Sequence, residues 1–309
     1  MRDAFIRALT SLAERDSSFV LVTGDLGFGV LSDFAERFPN QFINAGVAEQ
    51  NMTAIAAGMA LSGFRVYTYS IANFTTLRCL EQIRNDVCYH NANVTIVSVG
   101  GGFSYGQLGM SHFATEDLAI LRAIPELKVV SPTEIWETED LTSSLAEMDG
   151  PVYLRLDKSA GGVERRPGEL AVLGKMRCVR DGSDVTLLAT GGILAECVKA
   201  AELLAVDGIE ARILAVNSLK PFDVEELERA ASETGGIITI EEHSILGGLG
   251  GACAEIILER GFNPGFFSRI GLADRFPTVV GDQNYLRKVY GMDGYAIAAR
   301  AREGLAKRK

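Results

Sequence analysis

Short apolar runs rich in β-branched residues alternate with longer segments of helical period along most of this 309-residue chain, and no other feature limits its possible folds so tightly. In the first half the apolar runs are FVLVTG (19–24), VTIVSVG (94–100), LKVVSP (127–132) and PVYLRL (151–156). Each is strand length and mostly apolar, with no regular alternation of polar residues, as in strands covered on both faces. Between them lie AEQNMTAIAAGMALSG (48–63) and TEIWETEDLTSSLAEMDG (133–150), with apolar residues at helical spacing. The order strand–helix–strand predicts an α/β fold built on a mostly parallel, doubly wound sheet.

The rhythm breaks at DKSAGGVERRPGEL (157–170), a polar stretch holding Gly161, Gly162, Pro167 and Gly168. This reads as a linker. Beyond it DVTLLATGG (184–192), EARILAVNSLKP (210–221) and IITIEEHS (237–244) read as strands. The segments 193–208, 223–236 and 247–261 read as helices, with Asp223 a candidate N-cap. The expectation is two doubly wound α/β domains, 1–160 and a smaller one at 170–309.

Charge and cysteines narrow the class. The formal net charge is -10, which disfavours non-specific nucleic-acid binding because phosphates need a basic surface. Lys307, Arg308 and Lys309 read as a solvated helix end. Arg2, Asp3 and Arg7 interrupt any apolar run at the N-terminus, so 1–16 reads as an amphipathic helix rather than a signal peptide. No run is long enough to cross a membrane. The five cysteines (79, 88, 178, 197 and 253) are scattered and form no C-x-x-C pair, which suits reduced core thiols in the cytoplasm.

Four segments carry candidate chemistry. Glu49 opens the helix at 48–63, where a carboxylate either stabilises the helix start or does something more. Phe74 lies in the turn before the helical face Leu77, Leu80, Ile83 and Val87, and either caps the core or stacks on a flat ring. SVGGGFSYGQLGMSHFATED (98–117) places three glycines after a strand, then Ser104, Tyr105, Gln107, Ser111 and His112 in a long loop. Such loops at strand ends are frequent ligand sites, though the glycine spacing is not a dinucleotide fingerprint. Glu241, Glu242 and His243 are too few for a metal centre, and GGLGGA (247–252) is a weak phosphate turn.

In order, VTGDLG, INAGVAEQNM, FTTLRCLEQIRND, GMSHFATEDLAILRAIP, VVSPTE, YLRLDKS and EEHSILGGLGGACAE resemble the transketolase family over nearly the whole chain. The resemblance implies a thiamine-diphosphate pyrimidine-binding domain followed by a transketolase C-terminal-like domain. It implies that Glu49 hydrogen-bonds the aminopyrimidine of thiamine diphosphate and is catalytic with His112. Phe74 would stack on that ring, and Asp25, Leu26 and Ile71 would lie by the cofactor. Tyr105, Gln107, His112 and Arg155 would bind substrate, Arg155 through a sugar phosphate.

The chain also departs from the family. An acidic pair is replaced by Gln107 and Leu108, a histidine by Gly100, a serine by Gly29 and an aromatic by Ile71. These changes imply a modified sugar as donor or acceptor. The family's Gly-Asp-Gly and Asn metal motif is unmatched, since Gly281-Asp282 lacks its glycine and spacing. The resemblance therefore implies Mg²⁺ (or Ca²⁺) held by an N-terminal transketolase-like subunit, in a heterotetramer of two copies each. The implied activity is transfer of a two-carbon ketol unit from a ketose to an aldose or modified sugar. The alternatives are the beta subunit of a 2-oxo-acid dehydrogenase, a deoxyxylulose-phosphate-synthase-like carboligase, and a non-catalytic assembly subunit.

Overall fold

The computed structural model describes residues 1–307, so Arg308 and Lys309 of the basic tail lie outside the described residues. Twelve strands are present among the described residues: β1 (Phe19–Thr23), β2 (Phe42–Asn44), β3 (Arg65–Ile71), β4 (Val94–Val99), β5 (Lys128–Val130), β6 (Val152–Leu156), β7 (Arg177–Arg180), β8 (Val185–Thr190), β9 (Ala211–Ala215), β10 (Ser218–Lys220), β11 (Ile237–Ser244) and β12 (Phe267–Leu272). The first sheet has the order β10-β5-β6-β4-β3-β1-β2, and the second β12-β11-β8-β9-β7. Within each sheet the pairs are parallel except the antiparallel edges, β10 on β5 and β7 on β9. The α/β expectation, with a smaller second sheet, is what the structure shows.

The apolar runs became central strands. β1, β4, β6 and β8 are buried along their whole length, because helices cover both faces. The N-terminal helix Arg2–Ala13 buries Phe5, Leu9 and Leu12 against the first sheet, each such side chain contributing ~1.5–3 kcal/mol. Asp223 caps the helix Val224–Glu233 by accepting from Glu226 N at 3.3 Å. No helix is long and apolar enough to cross a membrane among the described residues. The five cysteines carry free thiols, all buried but the half-buried Cys178.

Two expectations fail for long-range reasons. The segment 210–221 is not one strand: after β9 the chain leaves the second sheet, and Ser218 and Lys220 pair with Val130 and Val129 of β5. One apolar cluster accordingly runs between the two units, joining Leu118, Leu121 and Leu127 to Val216, Leu219 and Leu249. The helix expected through Leu77, Leu80, Ile83 and Val87 is broken. It runs as Ala72–Thr76, a single turn at Leu80–Gln82 and a wide π turn at Ile83–Cys88, which leaves Leu77 45% exposed.

Candidate active site

Because β1, β3, β4 and β6 are parallel, the loops that follow them emerge at one sheet edge, the usual ligand edge of such folds. After β1 comes Gly24-Asp25-Leu26. A Cβ on Gly24 would stand 3.4 Å from Glu49 Cγ, so this loop packs on Glu49. Asp25 holds φ 58°, a left-handed conformation that aspartate tolerates, and Asn44 Nδ2 donates to its Oδ1 at 2.9 Å.

Glu49 starts the helix Glu49–Leu61, with its side chain 3% exposed. A buried carboxylate needs a counter-charge, and Arg78 Nη1 supplies it at 2.6 Å. The same guanidinium lies over the Phe74 ring, 4.7 Å from its centre. Phe74, in the short helix after β3, meets His112 edge-on with centres 5.2 Å apart. His112 in turn lies 6.3 Å from the Tyr105 ring and 3.0 Å (Nδ1) from Ser111 Oγ. Asn73 Nδ2 donates to Ser111 O at 2.9 Å, which ties the His112 turn to the Phe74 turn. Lys158, directly after β6, places its ammonium 3.7 Å from the Tyr105 ring centre. Burial raises the Tyr105 hydroxyl and lowers the Lys158 ammonium from their ordinary values. Glu49, Arg78, Phe74, His112, Tyr105 and Lys158 thus form one continuous chain of contacts.

Two cavities flank Tyr105. One, of about 310 Å³, is lined by Met1, Arg2, Asp3, Val99, Tyr105, Asp157 and Lys158. The other, of about 410 Å³, is bounded by Tyr105, Gln107, Leu108, Lys158 and the second unit's Gly281–Gln283 turn. The glycine run after β4 shapes both. Gly100 has φ 95°, and a Cβ there would fall 2.2 Å from Tyr105 Cε2, so the tyrosine ring fills the space a side chain at 100 would take. Gly102 has φ 58° and abuts the Glu242 carboxylate, which accepts from Phe103 N and pairs with Arg287.

Asp25 and Leu26 therefore lie on the loop beside Glu49, Ile71 ends β3 just before the Phe74 turn, Tyr105 and Gln107 line the cavities, and His112 packs between the Phe74 and Tyr105 rings. Arg155 sits inside β6, 0% exposed, with Nε donating to Asp117 Oδ2 at 2.9 Å and Nη2 to the carbonyls of Ala114 and Glu242 at 3.1 Å. Its Nη1 makes no hydrogen bond and lies 3.7 Å from Asp157 Oδ1, and the guanidinium lines neither cavity, which sets it apart from the other residues expected to bind substrate. The signal was present: a charge within an apolar run covered on both faces must be buried and paired. The missed cations are Arg2, Arg78 and Lys158. Lys158 was legible as the first exposed polar residue past a strand end, whereas the Arg78 contact depends on tertiary packing. Glu241 and Glu242 are structural. Glu241 accepts from Leu249 N and Gly250 N at 2.7 and 2.8 Å, so the helix start at Leu249, within GGLGG, already holds an internal anion. No group of three or more His, Cys, Asp or Glu side chains that could hold a metal ion stands together among the described residues.

Comparison with known proteins agrees with this architecture. Residues 1–163 match the model of the transketolase pyrimidine-binding domain, and 174–297 that of the transketolase C-terminal domain. One of the subunits of an apulose-4-phosphate transketolase from Phocaeicola vulgatus is 39% identical over 99% of this chain and 97% of its own length. A 6-deoxy-6-sulfo-D-fructose transketolase subunit of a Clostridium species is 36% identical over 98% and 94%. A solved split-gene transketolase, described as an inactive beta4 tetramer, is 34% identical and superposes with TM-score 0.88 over 100% of this chain and 98% of that one. The chain belongs to the transketolase family, with the pyrimidine-binding and C-terminal domains that its split-transketolase relatives carry as a separate subunit.

Proposed function

We propose that this chain, joined to an N-terminal transketolase-like subunit, transfers a two-carbon ketol unit from a ketose to an aldehyde acceptor, with a sugar carrying an anionic group as substrate. The observation that carries the reading is the enclosed Glu49 carboxylate sharing one contact group with the Phe74 ring, at the sheet edge where ligands bind. A buried acceptor beside a half-buried aromatic face fits an aminopyrimidine, whose exocyclic and ring nitrogens need one and whose plane needs the other. Thiamine diphosphate, when bound, supplies a carbon nucleophile for the ketose carbonyl and a sink for the electron pair left when the adjacent C–C bond breaks.

The chain's own residues do the rest. Glu49 holds the proton shared with the pyrimidine nitrogen, and Phe74 fixes the plane of the ring. Asp25, Leu26 and Ile71 wall the approach. His112 holds or passes a proton at the substrate oxygen. Tyr105 and Gln107 line the sugar cavity, and Lys158 with Arg2 takes the anionic end, the role expected of Arg155. The phosphorylated and sulfonated sugars in the names of the two relatives support an anionic substrate.

Mg²⁺ and the diphosphate fall to the partner subunit in this reading, in a heterotetramer of two copies of each chain. Phe28 and Val47, 83% and 76% exposed, flank Asp25 and Glu49 and suit burial in a subunit contact. The test combines both subunits with thiamine diphosphate, Mg²⁺, a ketose donor and a panel of phosphorylated, sulfonated and neutral aldehydes. Transfer to an anionic acceptor is expected; no transfer to any member of the panel overturns the reading.

A further inference from the structure

We propose that Arg78 is a positioning residue that stands in for the cofactor's pyrimidine while the site is empty, and that the ring must displace it. The inference rests on the assignment of Glu49 and Phe74 above. It starts from the geometry of one guanidinium: Nη1 is 2.6 Å from Glu49 Oε2, and its carbon is 4.7 Å from the Phe74 ring centre. Those are the two side chains given to the pyrimidine. A guanidinium and an aminopyrimidine are both flat, both carry N–H donors in the plane, and both stack on aromatic faces. One cannot hold both contacts while the other does.

Burial gives the reason for such a residue. The Glu49 side chain is 3% exposed, and an unpaired carboxylate at that depth is costly. Arg78 relieves that cost in the free subunit and keeps Glu49 in one orientation. Its own side chain is 46% exposed, so the head can swing to water when the ring arrives. The contact lowers apparent cofactor affinity by the fraction of sites in which Glu49 is released. A charge-assisted hydrogen bond of this kind corresponds to roughly a ten- to hundredfold effect.

The test uses the assembled two-subunit complex, with thiamine diphosphate and Mg²⁺ as the probe. Calorimetric titration of Arg78→Met is expected to show cofactor binding tightened by roughly ten- to a hundredfold, with Arg78→Lys between it and the parent. Thermal unfolding supplies the second readout. Arg78→Met is expected to melt lower than the parent without cofactor and to match it at saturation. Unchanged or weaker binding by Arg78→Met overturns the proposal, as does an equal loss of melting temperature with and without cofactor. Failure of the parent complex to bind the cofactor would instead sink the assignment of Glu49 and Phe74.

Discussion

Arg155 Nε lies 2.9 Å from Asp117 Oδ2, with both side chains sealed from water. Tyr153 donates to the same oxygen at 2.6 Å, and Arg155 also reaches the carbonyl of Glu242 in the second unit. This pair therefore ties β6 to the contact between the two units.

Arg155→Met should destabilise the fold by about 3–5 kcal/mol, because it strands a buried aspartate. Denaturant unfolding measures this. A raised KM for an anionic sugar with unchanged stability would return Arg155 to substrate binding.

Lys158→Met should raise KM for an anionic sugar about ten- to a hundredfold while leaving a neutral analogue almost unaffected, as expected for losing a charge-assisted contact. Steady-state kinetics on paired substrates decide it. Equal losses on both substrates would count against the anion role.

Glu49→Gln should cut transfer about a hundred- to ten-thousandfold with the fold retained, since the amide cannot share a proton in the same way. Circular dichroism and single-turnover rates in the two-subunit complex check it. Near-parental turnover would refute the role.

Gly100→Ala should push the Tyr105 ring from its place, because the new methyl would sit 2.2 Å from a ring carbon at φ 95°. In a double-mutant cycle on kcat/KM, Gly100→Ala and Tyr105→Ala should couple by about 0.5–3 kcal/mol. Additive effects would show that the two positions act separately.

Arg122 grips Glu255 with both terminal nitrogens, at 2.7 and 2.8 Å, across the two units. The Arg122 hydrogen bond holds the Glu255 carboxyl below its ordinary value of 4.5. The stabilisation is present above pH 4.5 and is lost as pH falls through the lowered folded value. Glu255 is 56% exposed, so the pair contributes only ~0.5 kcal/mol. Glu255→Gln should lose that amount at pH 7 and nothing at strongly acidic pH. A constant difference across the pH series would exclude the ion pair as its cause.

The alternation of strands and helices was legible in the chain's own spacing, because each apolar period states which face of a local element must leave water. The same reading placed Tyr105 and His112 in a loop after a strand end, Glu49 at a helix start and Phe74 in a turn before a helix, while the particular pairing of parallel strands that gathers them was not legible locally. Which charges meet was settled by tertiary packing instead. Ser218–Lys220 reads locally as a continuation of β9, yet its pairing groups are satisfied by β5. Arg155 and Lys158 lie three residues apart with opposite fates, since one is inside a covered strand and the other just past its end. Arg78 is 29 residues from Glu49, and no local period encodes that contact. Hydrophobic burial is written in spacing along the chain, whereas ion pairing depends on which elements the fold makes neighbours.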